Sequence, residues 1–421
     1  GTISSPASIC PARRGTLCPC RRGERNTGAG DAMRTRRVRR LEAGIFGELE
    51  RAVFLDRPNR FTLECELRGR PVRAFLPNPG RMAELLLPGT AVLLEKSESP
   101  GRKMARTVVA VEREGRPVVV DTHRTNAVAL RLLEGGRVPG LEDATVVRRE
   151  VTEGGSRFDF LLERGNRRVL LEVKSCTLFG GKVAMFPDAV TVRGRRHVEE
   201  LSALAGGNTE CAVLFVVHWP DAEYFLPEYH TDPGFAAALR TARDRIRVLP
   251  LAVNWRADLT LSRVTRPPKV PWEIVEREAA DRGCYLLILE VERRTEAEIG
   301  GLGTVWFPRG FYVYAGSARG GLSRRVARHL RSGKRLYWHV DRLRAVARVH
   351  AALPIRTADD LECDLARALG EIGGRGTAGF GASDCSCPSH LFGFGDDPLR
   401  SPRFHALVQH FRMGRLPSLL G

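Results

Sequence analysis

The chain has 421 residues, 43% of them hydrophobic and 28% charged, which is the composition of an ordinary soluble globular protein with about two to four domains. Its net charge of +18 at pH 7 favours a polyanionic partner, and nucleic acid ranks ahead of a membrane surface. We expect no membrane-spanning helix and no signal peptide, because apolar runs of the required length are missing.

The N-terminal segment, residues 1–40, is strongly basic and shows no hydrophobic periodicity. It carries ten Arg against Glu24 and Asp31, so we predict a disordered basic tail and assign it no chemistry. Cys18-Pro19-Cys20 is too short to form a zinc site by itself. Met33 lies just before organised sequence, so an over-extended N-terminus explains the preceding residues as well as a functional arm does.

Residues 41–112 contain short strand-like runs separated by turn residues, a pattern that predicts a small β-barrel. The segment Pro77–Met82 predicts a forced turn that leads into a short helix ending at Pro88-Gly89. Such barrels bind single strands in basic grooves, so Arg81, Arg102 and Lys103 are candidate nucleic-acid contacts, although a structural role is somewhat favoured for each. The predicted strands are Arg51–Leu55, Phe61–Leu67, Val72–Leu76, Ala91–Glu95 and Thr107–Val111.

Residues 113–262 predict a mixed α/β domain built around a β-hairpin, Phe158–Leu162 and Val169–Val173. The first strand carries Asp159, and the second carries Glu172 and Lys174 on one face. Two carboxylates with a neighbouring lysine can hold Mg²⁺ against a phosphodiester, while the lysine orients water and offsets developing charge. An acid–lysine pair at an exposed strand end is the alternative, and spacing alone gives each about even odds. The chain has only six Lys among 67 basic residues, which favours a functional lysine here.

The segments DFLL, LEVKS and FPDAVTxRGxxHxEEL resemble the sugar fermentation stimulation protein A (SfsA) family, and the resemblance runs from about Gly44 to Ser262. It implies an OB-like barrel followed by a PD-(D/E)XK nuclease-fold domain, with nucleic-acid binding and metal-dependent nuclease chemistry. By match to the motif, Asp159 is the D of the signature, and Glu172 and Lys174 are the E-x-K.

The same resemblance places a helix from Arg193 beside the site, so Arg193 and Arg196 are candidate phosphate contacts. Other polar residues of this domain receive structural interpretations. Asn126 and Asp188 are interpreted as turn or cap residues, and Glu150 as a surface acid rather than a further metal ligand.

Residues 263–276 are rich in proline and basic residues, so they predict a linker to a third domain, residues 277–395. There, Tyr285 and Tyr314 lie in strand-like runs, while Arg325, Arg328 and His329 share the polar flank of a predicted helix, Leu322–Arg331, whose Leu322, Val326 and Leu330 face the core. Glu362 lies at the edge of a later helix, Asp360–Gly370. These residue types suit phosphodiester hydrolysis with a single metal, although core tyrosines and solvated arginines are the simpler interpretation of spacing alone.

The segments GxY, YxGSA, LxxRVxxH and LExxL resemble the GIY-YIG nuclease superfamily, over about Arg282–Phe394. The resemblance makes Tyr285 and Tyr314 the two tyrosines, Arg325 the arginine, His329 the residue one turn on and Glu362 the metal ligand. Arg328 on the same flank is a candidate nucleic-acid contact.

The chain departs from that superfamily at three points. Cys284 replaces the motif isoleucine, and about thirty residues separate the tyrosines, a wider gap than is usual. The superfamily's late asparagine has no clear counterpart, and Ser383 or Asp384 is the candidate substitute.

Cys385, Cys387 and His390 resemble a metal-binding cluster, for which Cys363 is the candidate fourth ligand. Because C-x-C lacks the usual two-residue gap, we rank a structural zinc well below a packed, reduced loop. Cys65, Cys211 and Cys284 lie in apolar runs, which predicts reduced core thiols and a cytoplasmic location. Residues 396–421 predict a basic, weakly helical tail.

The sequence therefore predicts a multidomain α/β protein with an OB-like barrel, a PD-(D/E)XK-like domain and a GIY-YIG-like domain. The leading hypothesis is a DNA-binding, Mg²⁺- or Mn²⁺-dependent endonuclease. The alternative is a non-catalytic DNA-binding regulator, and an RNA substrate stays open because no visible feature reads a 2′-hydroxyl. All of the predicted catalytic residues are present, so the sequence shows no decay of either site.

Overall fold

The computed structural model describes residues 44–97, 103–331 and 336–420. Three successive units follow one another along these residues, and each is built on its own main sheet. A β-barrel comes first, then a middle domain with a mixed sheet, and then a C-terminal domain with an antiparallel sheet. The predicted basic tail 1–40 and Arg102 lie outside the described residues. None of the helices within the described ranges is both long and apolar enough to cross a membrane.

The barrel closes because its strands pair in a ring. Its strands are β1 Leu49–Asn59, β2 Thr62–Leu67, β3 Arg70–Phe75, β4 Ala91–Lys96, β5 Arg106–Arg113 and β6 Arg116–Val119. The hydrogen-bonded order is β3-β2-β1-β4-β5, and a parallel contact between Phe75 and Thr107 joins β3 to β5. Alternate residues of β2, such as Leu63 and Cys65, point into the core, as strand periodicity requires. The five predicted strands are confirmed, and a sixth, β6, extends β5 as a hairpin.

The helix predicted after Pro77–Met82 is wrong, since that segment holds only turns among the described residues. Met82 adopts a left-handed backbone with φ of +48°, which a helix cannot continue through. Its backbone N–H donates to the Asp188 carboxylate at 2.6 Å, so a tertiary contact fixes the turn. Asp188 thus bonds a turn, as expected, but across 106 positions of sequence.

The middle domain contains a six-stranded mixed sheet with helices on both faces. Its elements are α1 Thr125–Glu134, β7 Thr145–Glu153, β8 Ser156–Arg164, β9 Arg167–Cys176, β10 Leu178–Gly180, β11 Val183–Phe186, α2 Val192–Leu204, β12 Thr209–Val217, β13 Tyr224–Pro227, α3 Pro233–Ala242, β14 Arg247–Trp255 and β15 Leu261–Arg266. The strand order of the main sheet is β15-β14-β12-β9-β8-β7, and a small sheet, β10-β11-β13, lies beside it.

The two faces of the main sheet carry alternate residues of each strand, and each face is covered by helices. Val169, Leu171 and Leu214 lie on the face covered by α1, whereas Leu170 and Phe215 lie on the face covered by α2 and α3. The hairpin predicted through Gly165-Asn166 is confirmed, because β8 and β9 pair antiparallel from Arg164↔Arg167 onward.

The C-terminal domain contains a five-stranded antiparallel sheet with helices on both faces. Its elements are α4 Trp272–Glu278, β16 Gly283–Val291, β17 Thr295–Glu298, β18 Thr304–Phe307, β19 Gly310–Ala318, α5 Leu322–Leu330, α6 His339–Val346, β20 Arg348–Arg356, α7 Glu362–Glu371, β21 Arg375–Gly376, β22 Leu391–Phe394 and α8 Pro402–Gln409. The strand order is β20-β16-β19-β22-β21.

Alternation along β16 divides the core of the C-terminal domain into two layers. Tyr285 and Leu287 face α5 and α6, and Leu286 and Ile288 face α7 and α8. The hairpin β17–β18 lies within the long stretch of sequence that separates Tyr285 from Tyr314. Leu330 is 50% exposed, so its predicted core position is wrong.

The segments predicted as a linker and a basic tail are folded where the structure describes them. Residues 263–276 contain the end of β15 and the start of α4. Met413 and Leu416, from the predicted tail, are buried against the small sheet of the middle domain, and the Gln409 side chain donates to the Phe179 carbonyl at 2.7 Å. A count of charges does not predict this packing, because the apolar residues of the segment are separated by arginines.

A buried arginine joins the C-terminal domain to the middle domain. Arg356 is 3% exposed, its backbone N–H donates to Nδ1 of His230 at 2.9 Å, and its guanidinium donates to the His230 carbonyl. The C-terminal domain therefore docks on the middle domain through buried polar contacts as well as apolar ones.

Glu84 is a buried acid of the barrel, in a cavity of about 400 Å³ that it shares with Asp188 and Arg412. Its Oε1 has no hydrogen-bond partner among the described residues. Burial, followed by repulsion from Asp188, raises the pKa of Glu84 to about 8, with Arg113 and Arg412 acting in the opposite direction. The folded protein therefore holds a proton there that the unfolded chain releases at lower pH.

We expect Glu84→Gln to stabilise the protein at pH 8 by about 1 kcal/mol or more relative to wild type, and by less at pH 5. The sign follows because a raised carboxyl pKa costs stability as the pH rises from the unfolded value towards the folded value. Denaturant unfolding from pH 5 to pH 8 measures the difference. Glu114→Gln, at an exposed acid of the barrel, is the control and should change little. A pH-independent difference for Glu84→Gln contradicts the assignment.

Candidate active sites

The first site, Asp159, Glu172 and Lys174, lies where two strands of the middle sheet separate. The antiparallel pairing of β8 with β9 ends at Phe160↔Leu171, so Asp159 and Glu172 are the next residues beyond it. Asp159 accepts a hydrogen bond from the Asn126 side chain and one from the Val173 backbone N–H, both at 2.7 Å. Each carboxylate oxygen of Asp159 thus has one donor and keeps capacity for another interaction.

Glu172 is 4% exposed, and its two oxygens have different surroundings. Oε1 lies 2.6 Å from Nδ1 of His197 and also contacts Nζ of Lys174. The Arg193 guanidinium donates to Nε2 of His197 at 3.4 Å, which is consistent with an Nδ1–H that donates to Glu172. Oε2 is buried and has no hydrogen-bond partner among the described residues.

The two carboxyl groups of the first site have opposite pKa shifts. Burial, and then repulsion from Glu172, raises the pKa of Asp159. Burial also acts to raise the pKa of Glu172, but the hydrogen bond from His197 and the charge of Lys174 outweigh it and lower the pKa overall. Because Glu172 repels Asp159, a cation held by both carboxylates would relieve that repulsion.

The first site opens into a cavity of about 520 Å³ between the barrel and the middle domain. Arg193 and Arg60 line this cavity, so a basic side chain approaches it from each unit. Arg196 is not among the residues lining it and lies 3.7 Å from Glu200 on the same helix. Of the two phosphate contacts predicted on α2, Arg193 therefore lies at the cavity and Arg196 does not.

Of the barrel residues predicted to contact nucleic acid, the two that the structure describes, Arg81 and Lys103, do not gather at the first site. Arg81 lines the neighbouring cavity that contains Glu84, and Lys103 is exposed between β4 and β5. Glu150 is a surface acid, as expected, and its side chain lies 2.9 Å from Arg157. The roles of Arg81 and Lys103 stay predictions.

The second site takes Tyr285 and Tyr314 from the C-terminal sheet, Arg325 and His329 from α5, and Glu362 from the first turn of α7. The Tyr285 hydroxyl is 2.9 Å from Nε2 of His329, and the two tyrosine rings have centroids 6.2 Å apart. Burial raises the pKa of both tyrosines above the usual range. Both hydroxyls therefore stay protonated at neutral pH.

Gly316 allows the two tyrosines to approach the strand. A Cβ at this position would lie 2.5 Å from the Tyr285 hydroxyl oxygen and 2.8 Å from Cε1 of Tyr314. These distances are below van der Waals contact, so a side chain here would displace both rings. The glycine of YxGSA is thus required by packing.

Glu362 has a hydrogen-bond partner on each oxygen. The Ser317 hydroxyl donates to Oε2, and Nδ1 of His390 lies 3.1 Å from Oε1. Burial acts to raise the pKa of Glu362, but these hydrogen bonds, with His390 the stronger, lower it overall. Glu362 is therefore a carboxylate at neutral pH and can serve as a ligand.

Two of the three arginines of α5, Arg325 and Arg328, face different partners. Arg325 donates to the Ser317 carbonyl at 3.4 Å, and its guanidinium lies 4.2 Å from the ring centroid of Trp338. Arg328 forms a bidentate salt bridge with buried Asp341, at 2.9 and 3.0 Å. Arg325 is thus at the second site, while the charge of Arg328 is compensated within the protein.

A cavity of about 450 Å³ collects most residues of the second site. Tyr285, Tyr314, Arg325 and Glu362 all line it. The candidate substitutes for the late asparagine line the same cavity, and these residues are Ser383 and Asp384.

Four residues of types that can bind a metal also come together beside Glu362. Cys363, Cys385, Cys387 and His390 each place one ligand atom within 4.8 Å of the others. The fourth candidate ligand is therefore supplied by the first turn of α7. Elsewhere, Cys65, Cys211 and Cys284 are buried free thiols, as predicted.

Several residues that contact the two sites carry no role predicted from the sequence. Asn126, expected to be a turn or cap residue, bonds Asp159 instead. His197 stands within the segment HxEEL, and that signal marks it, although its contact with Glu172 cannot be read from the segment. Ser317 stands within YxGSA, although its contact with Glu362 cannot be read from that segment. Trp338 gives no signal, because contacts between helices depend on the fold.

Three stretches of the chain match known protein families. Residues 55–120 match the SfsA N-terminal OB domain, and residues 123–258 match the sugar fermentation stimulation protein RE domain. Residues 284–413 match a domain of unknown function, DUF123. The predicted fold class, a barrel followed by mixed α/β domains, is confirmed.

Individual relatives cover the first two units. A sugar fermentation stimulation protein homolog of Methanothermobacter thermautotrophicus is 40% identical over 201 residues, which are 48% of this chain and 84% of the relative. That of Carboxydothermus hydrogenoformans is 43% identical over 192 residues, 45% of this chain and 83% of the relative. The solved structure of Pyrococcus furiosus SfsA in complex with Ca²⁺ is 28% identical, with a TM-score of 0.50, and the match covers 54% of this chain and 99% of that one.

Proposed function

This chain belongs to the sugar fermentation stimulation protein family, and from that premise we propose that it binds DNA and hydrolyses phosphodiester bonds with a divalent cation. The first site is proposed to act as a PD-(D/E)XK-type nuclease site, and the second as a GIY-YIG-type site. The non-catalytic DNA-binding regulator is the competing outcome of the experiment below.

The observation that carries the proposal is the unequal environment of the Glu172 oxygens. Oε1 is occupied by His197 and Lys174, whereas Oε2 is buried and has no hydrogen-bond partner among the described residues. An unpaired buried carboxylate oxygen costs free energy, and a cation shared with Asp159 would remove that cost. The donor set, two carboxylates in a cavity open to solvent, fits Mg²⁺ or Mn²⁺, which take oxygen ligands.

Each residue of the first site has a distinct proposed role. A cation bound by Asp159 and Glu172 would polarise the phosphodiester and lower the pKa of a bound water. Lys174 offsets negative charge that develops on the phosphate and orients the attacking water. His197 and Asn126 are positioning residues, since they bond the carboxylates and fix their orientation.

The second site is proposed to use one cation, held by Glu362. Tyr285 is placed to orient water and to relay its proton, because the hydroxyl can pass its own proton to Nε2 of His329 as it takes one from the water. Arg325 is placed to stabilise the negative charge on the phosphate. The stacking of Arg325 on Trp338 fixes the direction of the guanidinium.

DNA is the proposed partner because the net charge is +18 and the first unit is an OB-type barrel. The Pyrococcus furiosus structure was solved in complex with Ca²⁺, an ion that prefers oxygen ligands as Mg²⁺ does. That precedent supports a divalent cation here, and the catalytic ion is proposed to be Mg²⁺ or Mn²⁺.

The test is incubation of labelled single-stranded, duplex and branched DNA with Mg²⁺, Mn²⁺ or EDTA. Wild type is compared with Glu172→Gln, Glu362→Gln and the double variant, and Glu150→Gln serves as a surface control. We expect metal-dependent cleavage that survives in each single variant and is lost only in the double variant. Cleavage by the double variant contradicts the assignment of both sites.

Binding is measured in parallel at several salt concentrations. We expect affinity to fall steeply as salt rises, because phosphate contacts release counterions. Salt-dependent binding without cleavage by wild type under every metal supports the non-catalytic regulator. A flat salt response contradicts nucleic-acid binding altogether.

A further inference from the structure

The proposed hydrolysis leaves one group of reactive side chains unused, the thiol cluster of Cys363, Cys385, Cys387 and His390. Cys363 is in the first turn of α7, and the other three lie in the loop between β21 and β22. The four ligand atoms lie within 4.8 Å of one another. Sγ of Cys385 is 3.3 Å from Nε2 of His390.

We propose that the thiol cluster binds a structural zinc ion through three cysteine sulfurs and Nε2 of His390. Three Cys and one His form a common closed, tetrahedral zinc site. With zinc–sulfur distances of about 2.3 Å and zinc–nitrogen distances of about 2.0 Å, tetrahedral ligands lie about 3.5 to 3.8 Å apart. The observed separations need only small side-chain adjustments to reach that geometry.

The ligands of the thiol cluster come from two separate elements. A structural zinc therefore ranks above the packed, reduced loop that the sequence alone favours. The single residue between Cys385 and Cys387 disfavours zinc when the loop alone must supply the usual C-x-x-C pair. Cys363 comes from α7, so the site does not depend on a single loop. A disulfide joins only two sulfurs, so it would leave one of the three thiols over. Cys363, Cys385 and Cys387 are all free.

The orientation of His390 independently points to a metal. Its Nδ1 faces Oε1 of Glu362 at 3.1 Å, while Nε2 faces the thiols. Zinc-bound histidines usually donate their second ring N–H to a carboxylate, which fixes the tautomer and the ring. The His390 backbone is also fixed, because its N–H donates to the Phe380 carbonyl at 2.8 Å and its carbonyl accepts from the Ala315 N–H at 2.9 Å.

Zinc at this position would join the loop that carries Cys385 to the start of α7, where Glu362 and Cys363 are adjacent. His390 then becomes a positioning residue for Glu362. The metal contents below are measured without DNA, so the zinc proposal does not depend on the proposed nuclease function, and either can fail alone.

The experiment uses the full chain with Cys10, Cys18 and Cys20 changed to Ser, because those thiols lie outside the described residues. The protein is purified under reducing conditions without chelator, and zinc is measured by mass spectrometry. We expect about one zinc per chain, lost in Cys363→Ser and Cys385→Ser and kept in Cys211→Ala, a buried cysteine of the middle domain. Zinc that persists in both serine variants overturns the proposal.

A cobalt titration keeps the test independent of how the variants fold. The parent protein is stripped of metal and titrated with Co²⁺, and thiolate-rich tetrahedral coordination gives visible and near-ultraviolet bands that a carboxylate site does not give. We expect those bands to appear, to disappear on addition of Zn²⁺, and to be accompanied by a higher melting temperature. A stripped, reduced protein without these bands overturns the proposal.

Discussion

Lys174→Ala is expected to reduce cleavage by the first site about 10²- to 10³-fold, which is the usual effect of removing one group that stabilises transition-state charge. The measurement is made in a Glu362→Gln background, so that only the first site contributes. DNA affinity should change little, because Lys174 is one cation among 67 basic residues. Its side chain is only 15% exposed and contacts Glu172, which places its charge at the cation site.

Two further variants separate the loss of charge from a loss of structure. Lys174→Met keeps most of the apolar stem and should be as inactive as Lys174→Ala. Lys182→Ala removes an exposed lysine of the same domain, which pairs with Glu223 at 3.1 Å, and should cleave normally. Unchanged cleavage by Lys174→Ala in this background refutes its catalytic assignment.

Gly316→Ala is expected to reduce cleavage by the second site about 10²-fold, since a displacement of about 1 Å in a catalytic group has an effect of that size. The new methyl group would lie 2.5 Å from the Tyr285 hydroxyl oxygen, and the Tyr285 side chain is buried. Overpacking should also lower the free energy of unfolding by about 1–3 kcal/mol. Cleavage is measured in a Glu172→Gln background, and stability by denaturant unfolding.

Gly320→Ala is the matched control, because it lies in the β19–α5 connection that follows the same strand. A Cβ at Gly320 would have nothing within 4 Å among the described residues. We expect wild-type cleavage and nearly unchanged stability for this variant. Equal losses in Gly316→Ala and Gly320→Ala would mean that the connection, and not the packing of Tyr285, controls the second site.

The sequence predicted the elements whose patterns are local. Alternating apolar residues around a polar turn determined the hairpin that carries Asp159 and Glu172, and the structure confirms that hairpin. The strands of the barrel were predicted from the same periodicity, whereas the helix after Met82 was wrong. A distant carboxylate, Asp188, bonds the backbone there, and periodicity carries no information about such a contact.

Only the tertiary structure decided which side chains meet. It brought Cys363 to Cys385 and Cys387, paired Arg328 with Asp341, and buried Met413 from a segment predicted as a tail. The physical reason is that periodicity records which face of an element is apolar, and composition records net charge. Neither records the partner of a polar group, which is chosen when sheets and helices pack and each buried charge or donor must be satisfied.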